Sequence, residues 1–272
     1  PEGVHVLRDL ADARALRAAL TEAGSVVVVG GGFLGTEVTA AAAAAGRAVT
    51  VVDPLPLPLG VLGDHVSGRI ADLHRARGVD LLLGCGVAEV LGGQRATGVR
   101  LTDGRIVAAD VVLLALGVEP ADRWLAGSQL TRDDGIVVDR FLRAADGVLA
   151  AGDVARAYHP LYGTHLRIEH WTTAVAHGHL AAKVIVQGPH DGLVPDVPYV
   201  WSEQYDVRLS VVGRTAGYEA HVVDRHPDAD RFVVAYTDGA GIVRGALTWN
   251  WTRALATWRG HVAGCVPLAD AT

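Results

Sequence analysis

Residues 25 to 53 constrain the fold more than any other part of the chain. A β-branched run, Ser25-Val26-Val27-Val28-Val29, passes directly into Gly30-Gly31-Gly32-Phe33-Leu34-Gly35. The next segment, Phe33 to Ala45, is rich in small residues and stops at Gly46; Ala48 to Val52 is apolar again and leads to Asp53. Short β-branched runs bounded by glycine read as buried strands, with a helix between them. The expectation is a βαβ unit, with both strands parallel in one sheet. A bare G-x-G-x-x-G match carries little weight in a chain with 33 glycines. Here the motif follows a strand, opens a helix and is answered by an acid 21 residues beyond Gly32, the context of a dinucleotide fingerprint. Gly30 permits the tight turn, Gly32 lets a pyrophosphate approach the backbone, and Gly35 lets helix and strand pack closely. Phe33 and Leu34 begin the helix, whose free N–H groups and positive dipole end face the phosphates. Asp53 is placed to accept hydrogen bonds from the adenosine ribose and to repel a 2′-phosphate, and Pro54, Leu55 and Pro56 offer no arginine to neutralise one. The pattern predicts NAD(H) rather than NADP(H).

The remaining elements are read around that unit. Leu7 to Ala23 and Asp64 to Arg77 have helical spacing. Val79 to Leu83, Val87 to Leu91, Gly98 to Leu101 and Val111 to Leu116 read as strands, with turns at Gly92-Gly93 and Asp103-Gly104. Two short strands follow, Gly135 to Asp139 and Gly147 to Ala151, then a loop and a helix from Trp171 to Val186. Beyond residue 190 the pattern alternates in period two at Leu209 to Val212, Phe232 to Tyr236 and Ile242 to Thr248, and ends in a helix from Arg253 to Val262. An α/β fold is expected, with a Rossmann-like NAD(H)-binding domain over 1–118, an incomplete domain over 119–190 and a small α+β lobe over 191–272.

Composition removes several classes. Half of the 272 residues are hydrophobic and a fifth charged, the balance of a globular chain. Apolar runs such as Val111 to Leu116 fall far short of the roughly 20 residues of a membrane helix, so no membrane partner is expected. A net charge of −6 gives no basic face for nucleic acid. Pro1-Glu2-Gly3-Val4-His5 does not read as a secretory signal, and a cytoplasmic location is expected. Cys85 and Cys265 form no C-x-x-C pair, so neither a redox dithiol nor a metal site is expected.

Several segments, in order along the chain, resemble the FAD-dependent ferredoxin reductases of oxygenase systems, the putidaredoxin and rubredoxin reductase type. They are Val28 to Glu37, Leu116-Gly117-Val118-Glu119-Pro120, Gly135 to Asp139, Ala150-Ala151-Gly152-Asp153-Val154, Glu169-His170-Trp171 and Trp201-Ser202-Glu203-Gln204-Tyr205. The Ala-Gly-Asp element is shared by many two-dinucleotide flavoproteins; the last two segments are narrower. The resemblance implies hydride transfer from NADH to FAD and electron delivery to a ferredoxin-type iron–sulfur protein. It places Gly117, Asp153 and Val154 against the cofactors, with Asp153 at the ribityl and phosphate region of FAD. Trp171 and Trp201 would lie near the isoalloxazine, supported by Glu169 and His170. It gives Glu37 the task of orienting the nicotinamide, against the plainer reading of a carboxylate that complements a helix dipole.

Glu203 stands where the family often has Asp, and His177 where a Gln precedes the glycine. The family also opens with a separate FAD fingerprint, whereas this chain opens at the lead-in helix and holds a single G-x-G-x-x-G. The resemblance therefore implies an N-terminally shortened reductase in which residues 119–190 are the second half of a FAD-binding domain. FAD retention by this chain alone is then doubtful, and the exposed half domain is a place for homo-oligomer contacts. The opposing expectation is a non-catalytic NADH-binding module that associates with another chain.

Overall fold

The structure is a computed structural model that describes residues 1–193, 195–226 and 230–271. The chain divides into two compact units, Pro1–Gly117 with Ser202–Val207, and Val118–Trp201 with Arg208–Thr272.

In the first unit the chain order is β1 (Val4–His5), α1 (Leu10–Glu22), β2 (Ser25–Val29), α2 (Phe33–Ala44), β3 (Ala48–Asp53), α3 (Asp64–Arg75) and β4 (Asp80–Leu83). Then come β5 (Val87–Gly92), β6 (Ala96–Leu101), β7 (Ile106–Ala108) and β8 (Val111–Leu114). Strands β1, β8, β2, β3 and β4 lie side by side in that order, all parallel. Both faces of such a sheet must be covered, and the valine run shows how. Val26 and Val28 point to the helices, packing with Leu16, Val38, Ala42 and Leu113. Val27 and Val29 point the other way, onto Val99, Leu101 and Val112 of the antiparallel meander and its surroundings. Successive side chains of a strand face opposite sides, so one valine run serves two cores. The alanine run of α2 does the close packing expected of it at Ala40 and Ala42, both buried, while Ala41, Ala44 and Ala45 face solvent. Helix α1 begins two to three residues later than its pattern suggests, because Asp9 and Asp12 form a reciprocal capping box.

The second unit carries β9 (Ile136–Val138), β10 (Arg143–Ala145), β11 (Val148–Leu149), β12 (Ala155–His159), β13 (Thr164–Arg167) and α4 (Trp171–Gln187). The expected loop before Trp171 is in fact a pair of strands. β12 runs parallel to β9 and antiparallel to β13; its sequence, Ala-Arg-Ala-Tyr-His, does not announce a strand, and its neighbours fix it. Leu180 and Val184 of α4 pack with Ile136, Val138 and Ala155. The last part is a five-stranded sheet in the order β14 (Tyr199–Gln204), β15 (Val207–Gly213), β18 (Val243–Trp249), β17 (Phe232–Thr237), β16 (Glu219–Arg225). Helix α5 (Thr252–Ala263) buries Trp258 and Val262 against β15, β17 and β18, and α6 (Leu268–Ala271) ends the chain. Strands β14 and β16 are additions to the expected lobe. Among the described residues no helix is long and apolar enough to cross a membrane.

Candidate functional site

The glycine loop sits at the carboxyl ends of β2, β3 and β8, where strand order reverses about β2 and ligands of open α/β sheets bind. Each fingerprint glycine meets a distinct physical requirement. Gly30 has φ 108°, and a Cβ there would stand 2.3 Å from the Ala115 carbonyl oxygen, so β8's exit and the loop are in backbone contact. A Cβ on Gly35 would stand 1.9 Å from the Gly30 oxygen, which fixes the approach of α2 to β2. A Cβ on Gly32 would meet nothing within 4 Å; that backbone faces open space. Gly32 is also the N-cap of α2 and supplies no side-chain cap, leaving N–H groups of the first turn for an anion. Gly117 follows β8 with φ 90° and open surroundings.

Asp53, buried at the end of β3, orders the loop from the side. Its Oδ2 accepts from the Gly31 N–H at 2.6 Å and its Oδ1 from the Leu55 N–H at 2.7 Å. Each carboxylate oxygen keeps acceptor capacity beyond these bonds. Phe33 and Leu34 occupy the first turn of α2, and Leu34 is 36% exposed.

Glu37 lies just past the first turn of α2, which contrary to expectation holds no acidic residue, and accepts from the Ser202 hydroxyl at 2.6 Å. Burial pushes its pKa up, the Ser202 bond opposes that rise and the neighbouring Glu203 carboxylate adds to it. Ser202 and Gln204 are the inward residues of β14 at 1% and 0% exposure. The Gln204 side-chain nitrogen donates to Thr36 Oγ1 at 2.9 Å and to Ser202 Oγ at 3.3 Å. Its Oε1 lies 3.0 Å from Nε2 of His74, whose Nδ1 lies 3.0 Å from the Tyr205 hydroxyl. The Arg77 guanidinium lies 4.6 Å over the Tyr205 ring and pairs with Asp206 at 2.5 Å. The sequence motifs included Thr36, Ser202 and Gln204 without giving them a role, and did not reach His74. His74 did carry a signal: it falls on the buried face of α3 with Val66, Ser67, Ile70 and Ala71.

The second group of predicted residues lies in the second unit. Gly152, Asp153 and Val154 form a 3-10 turn ahead of β12. Gly152 takes φ 75° with its N–H donating to His177 Nδ1 at 3.2 Å, so the histidine that replaces the family's Gln seats this turn on α4. His170 caps α4 without a side-chain bond. Its Nδ1 is buried with no hydrogen-bond partner among the described residues; burial lowers its pKa and the Asp153 charge opposes this. Glu169 is exposed and ion-paired to Arg167, which also meets Asp134 at 2.9 Å. Trp171 is 75% exposed and stands edge-on to Trp201 with centroids 6.5 Å apart, while Tyr199 stacks on Trp201 at 5.7 Å. A cavity of about 510 Å³ opens here, lined by Trp171, His177, Lys183, Tyr199 and Arg259 among others. The exposed Trp171 indole and the cationic Lys183 and Arg259 around this cleft are compatible with a planar, phosphate-bearing cofactor; the orphaned His170 nitrogen is not part of its lining. Among the described residues no cluster of three metal-ligating side chains occurs.

Residues 1–178 match the family described as pyridine nucleotide-disulphide oxidoreductase. The chain belongs to that family. Residues 199–271 match the reductase C-terminal domain, so the chain carries the lobe that the narrower motifs pointed to. It is 36% identical over 275 aligned positions to the ferredoxin–NAD(+) reductase component of the anthranilate 1,2-dioxygenase system of Burkholderia cepacia, covering 98% of this chain and 67% of the relative. With putidaredoxin reductase of Pseudomonas putida it shares 33% identity over 86% of this chain and 56% of the relative. The crystal structure of the covalent putidaredoxin reductase–putidaredoxin complex superposes with a TM-score of 0.89 at 30% identity, covering 97% of this chain and 64% of that one. The chain thus spans little more than half to two thirds of the length of these relatives.

Proposed function

We propose that the chain binds NADH at Gly30, Gly32, Phe33, Leu34, Gly35, Asp53 and Gly117, and that it is the nucleotide-binding and carboxy-terminal part of a cytoplasmic NADH:ferredoxin reductase. The observation that carries this reading is the Gly32 backbone, open to 4 Å at the uncapped start of α2, beside the Gly31 N–H that the Asp53 carboxylate holds. On this reading residues 1–118 bind NAD(H), 119–190 contribute half of a FAD-binding domain, and 191–272 form the carboxy-terminal domain. Bound FAD would accept a hydride from NADH and release electrons singly to an iron–sulfur protein. Asp153 and Val154 would meet its ribityl and phosphate region, Trp171 and Trp201 would shape the space for its ring, and Glu169 and His170 would support them. Glu37 would orient the nicotinamide, a positioning role. Two copies would associate through the helix that leaves Ile185 and Val186 exposed; sedimentation velocity showing only monomer would refute this.

Titration calorimetry tests the nucleotide assignment. NADH should bind and NADPH more weakly, because a 2′-phosphate would face the Asp53 carboxylate. Equal or tighter NADPH binding removes Asp53 from the reading. For the electron-transfer half, the chain alone should hold no stoichiometric FAD and show negligible NADH-to-ferredoxin activity, whereas within a complete enzyme Glu37→Ala should slow flavin reduction more than it weakens nucleotide binding.

A further inference from the structure

The side chains around Gln204 admit one donor assignment. Thr36 Oγ1 lies 3.0 Å from two carbonyl oxygens, those of Gly32 and Phe33, and a carbonyl can only accept. Ser202 Oγ donates to Glu37. Both hydroxyl protons are therefore spent, and each hydroxyl must accept from Gln204, whose amide group faces both. The Gln204 oxygen then faces His74, so Nε2 of His74 carries the proton and Nδ1 accepts from the Tyr205 hydroxyl. The result is a polarised chain from Tyr205 through His74 and Gln204 that divides into two ends. One reaches the Gly32 carbonyl through Thr36; the other reaches the Glu37 carboxyl through Ser202. Every member belongs to the first unit, although Ser202 and Glu37 stand 165 residues apart in sequence.

We propose that Ser202, seated by the His74–Gln204 pair, is a positioning residue that holds the Glu37 carboxyl in one orientation toward the nicotinamide half of NADH. The proposal rests on the NADH reading above. A glutamate side chain has three free torsions, and a single hydroxyl donor at 2.6 Å removes most of that freedom before the nucleotide arrives. Ser202 acts at one end of the ligand only. The adenosine and pyrophosphate groups meet backbone N–H groups and Asp53, which Ser202 does not touch.

The test measures NADH and ADP-ribose affinities by titration calorimetry on the whole chain and its variants. Ser202→Ala should weaken NADH about tenfold, the value of one hydrogen bond to a charged group, and leave ADP-ribose within about twofold. Ser202→Cys, close in volume and a weak donor, should give the same split should the alanine variant fail to fold. In a Glu37→Ala background, Ser202→Ala should change NADH affinity no further, because residues that act through one another are not additive. Equal loss of both ligands, no loss of either, or an undiminished Ser202 effect without Glu37 would overturn the proposal alone. Failure of the parent chain to bind both ligands would overturn the NADH reading, and this proposal with it.

Discussion

At the scale of single residues, the three fingerprint glycines are not equivalent, and substitution separates their tasks. Gly32→Val adds its side chain to open space, so the variant should melt close to the parent while calorimetric NADH binding disappears. Gly35→Ala drives a methyl group to 1.9 Å from the Gly30 oxygen. Overpacking of this kind costs about 1–3 kcal/mol or more, visible as a lower urea midpoint whether or not nucleotide is present. A Gly32 variant that unfolds, or a Gly35 variant that melts normally, would contradict this division. Glu37 supplies a pH signature. Its pKa is raised above 4.5 chiefly by burial, so the fold favours its neutral form. That contribution is present below the ordinary carboxylate value and is lost as pH rises through the folded value. Glu37→Gln keeps an acceptor for Ser202 and no charge, and should therefore gain in melting temperature over the parent at pH 8 but not at pH 4.

At the scale of elements, legibility follows the range of the forces that form each one. Strand β2, helix α2 and strand β3 were readable because a valine run, a glycine turn and a small-residue helix carry their own instructions. The parallel core they predict can be tested at Leu113 of β8, which is 0% exposed and packs on the helix side of the sheet. Leu113→Ala should cost about 2–5 kcal/mol in urea unfolding, the transfer and cavity terms together; a loss under 1 kcal/mol would place it outside the core. Strands β12 and β16 were not readable. Ala-Arg-Ala-Tyr-His and Glu-Ala-His-Val-Val-Asp-Arg lack a clean alternation, and their pairing partners set their conformation. The site divides in the same way. The glycine loop and Asp53 were legible within 24 residues, since the fingerprint is local. The buttress of Glu37 was not, because Ser202, Gln204 and His74 come from distant segments and only folding brings them together.

At the scale of the whole molecule, buried imidazoles govern the response to acid. His74, His159, His170 and His177 all have pKa values lowered from 6.5, with burial the largest cause in each. Gln204 opposes the shift at His74, the Asp196 carbonyl at His159 and the Asp153 charge at His170, while the Arg214 charge adds to it at His159 and the nearby His159 adds to it at His177. For each, the folded chain binds a proton less readily than the unfolded one. Their stabilising contribution is therefore complete above pH 6.5 and is lost as pH falls from there toward the folded values. A single fully buried histidine gives a slope approaching about 1.4 kcal/mol per pH unit within that window. Asp110 and Asp139 act in the same direction with pKa values lowered from 3.8, but only in stronger acid, and Glu37 acts in the opposite one. The melting temperature should thus fall between pH 7.5 and pH 5.5, well before carboxylates titrate, with net proton uptake on unfolding at pH 6. Calorimetric melts in two buffers of different ionisation enthalpy measure both quantities. A melting temperature that is flat over that interval, or that peaks below pH 6, would show that these histidines are not held neutral by the fold.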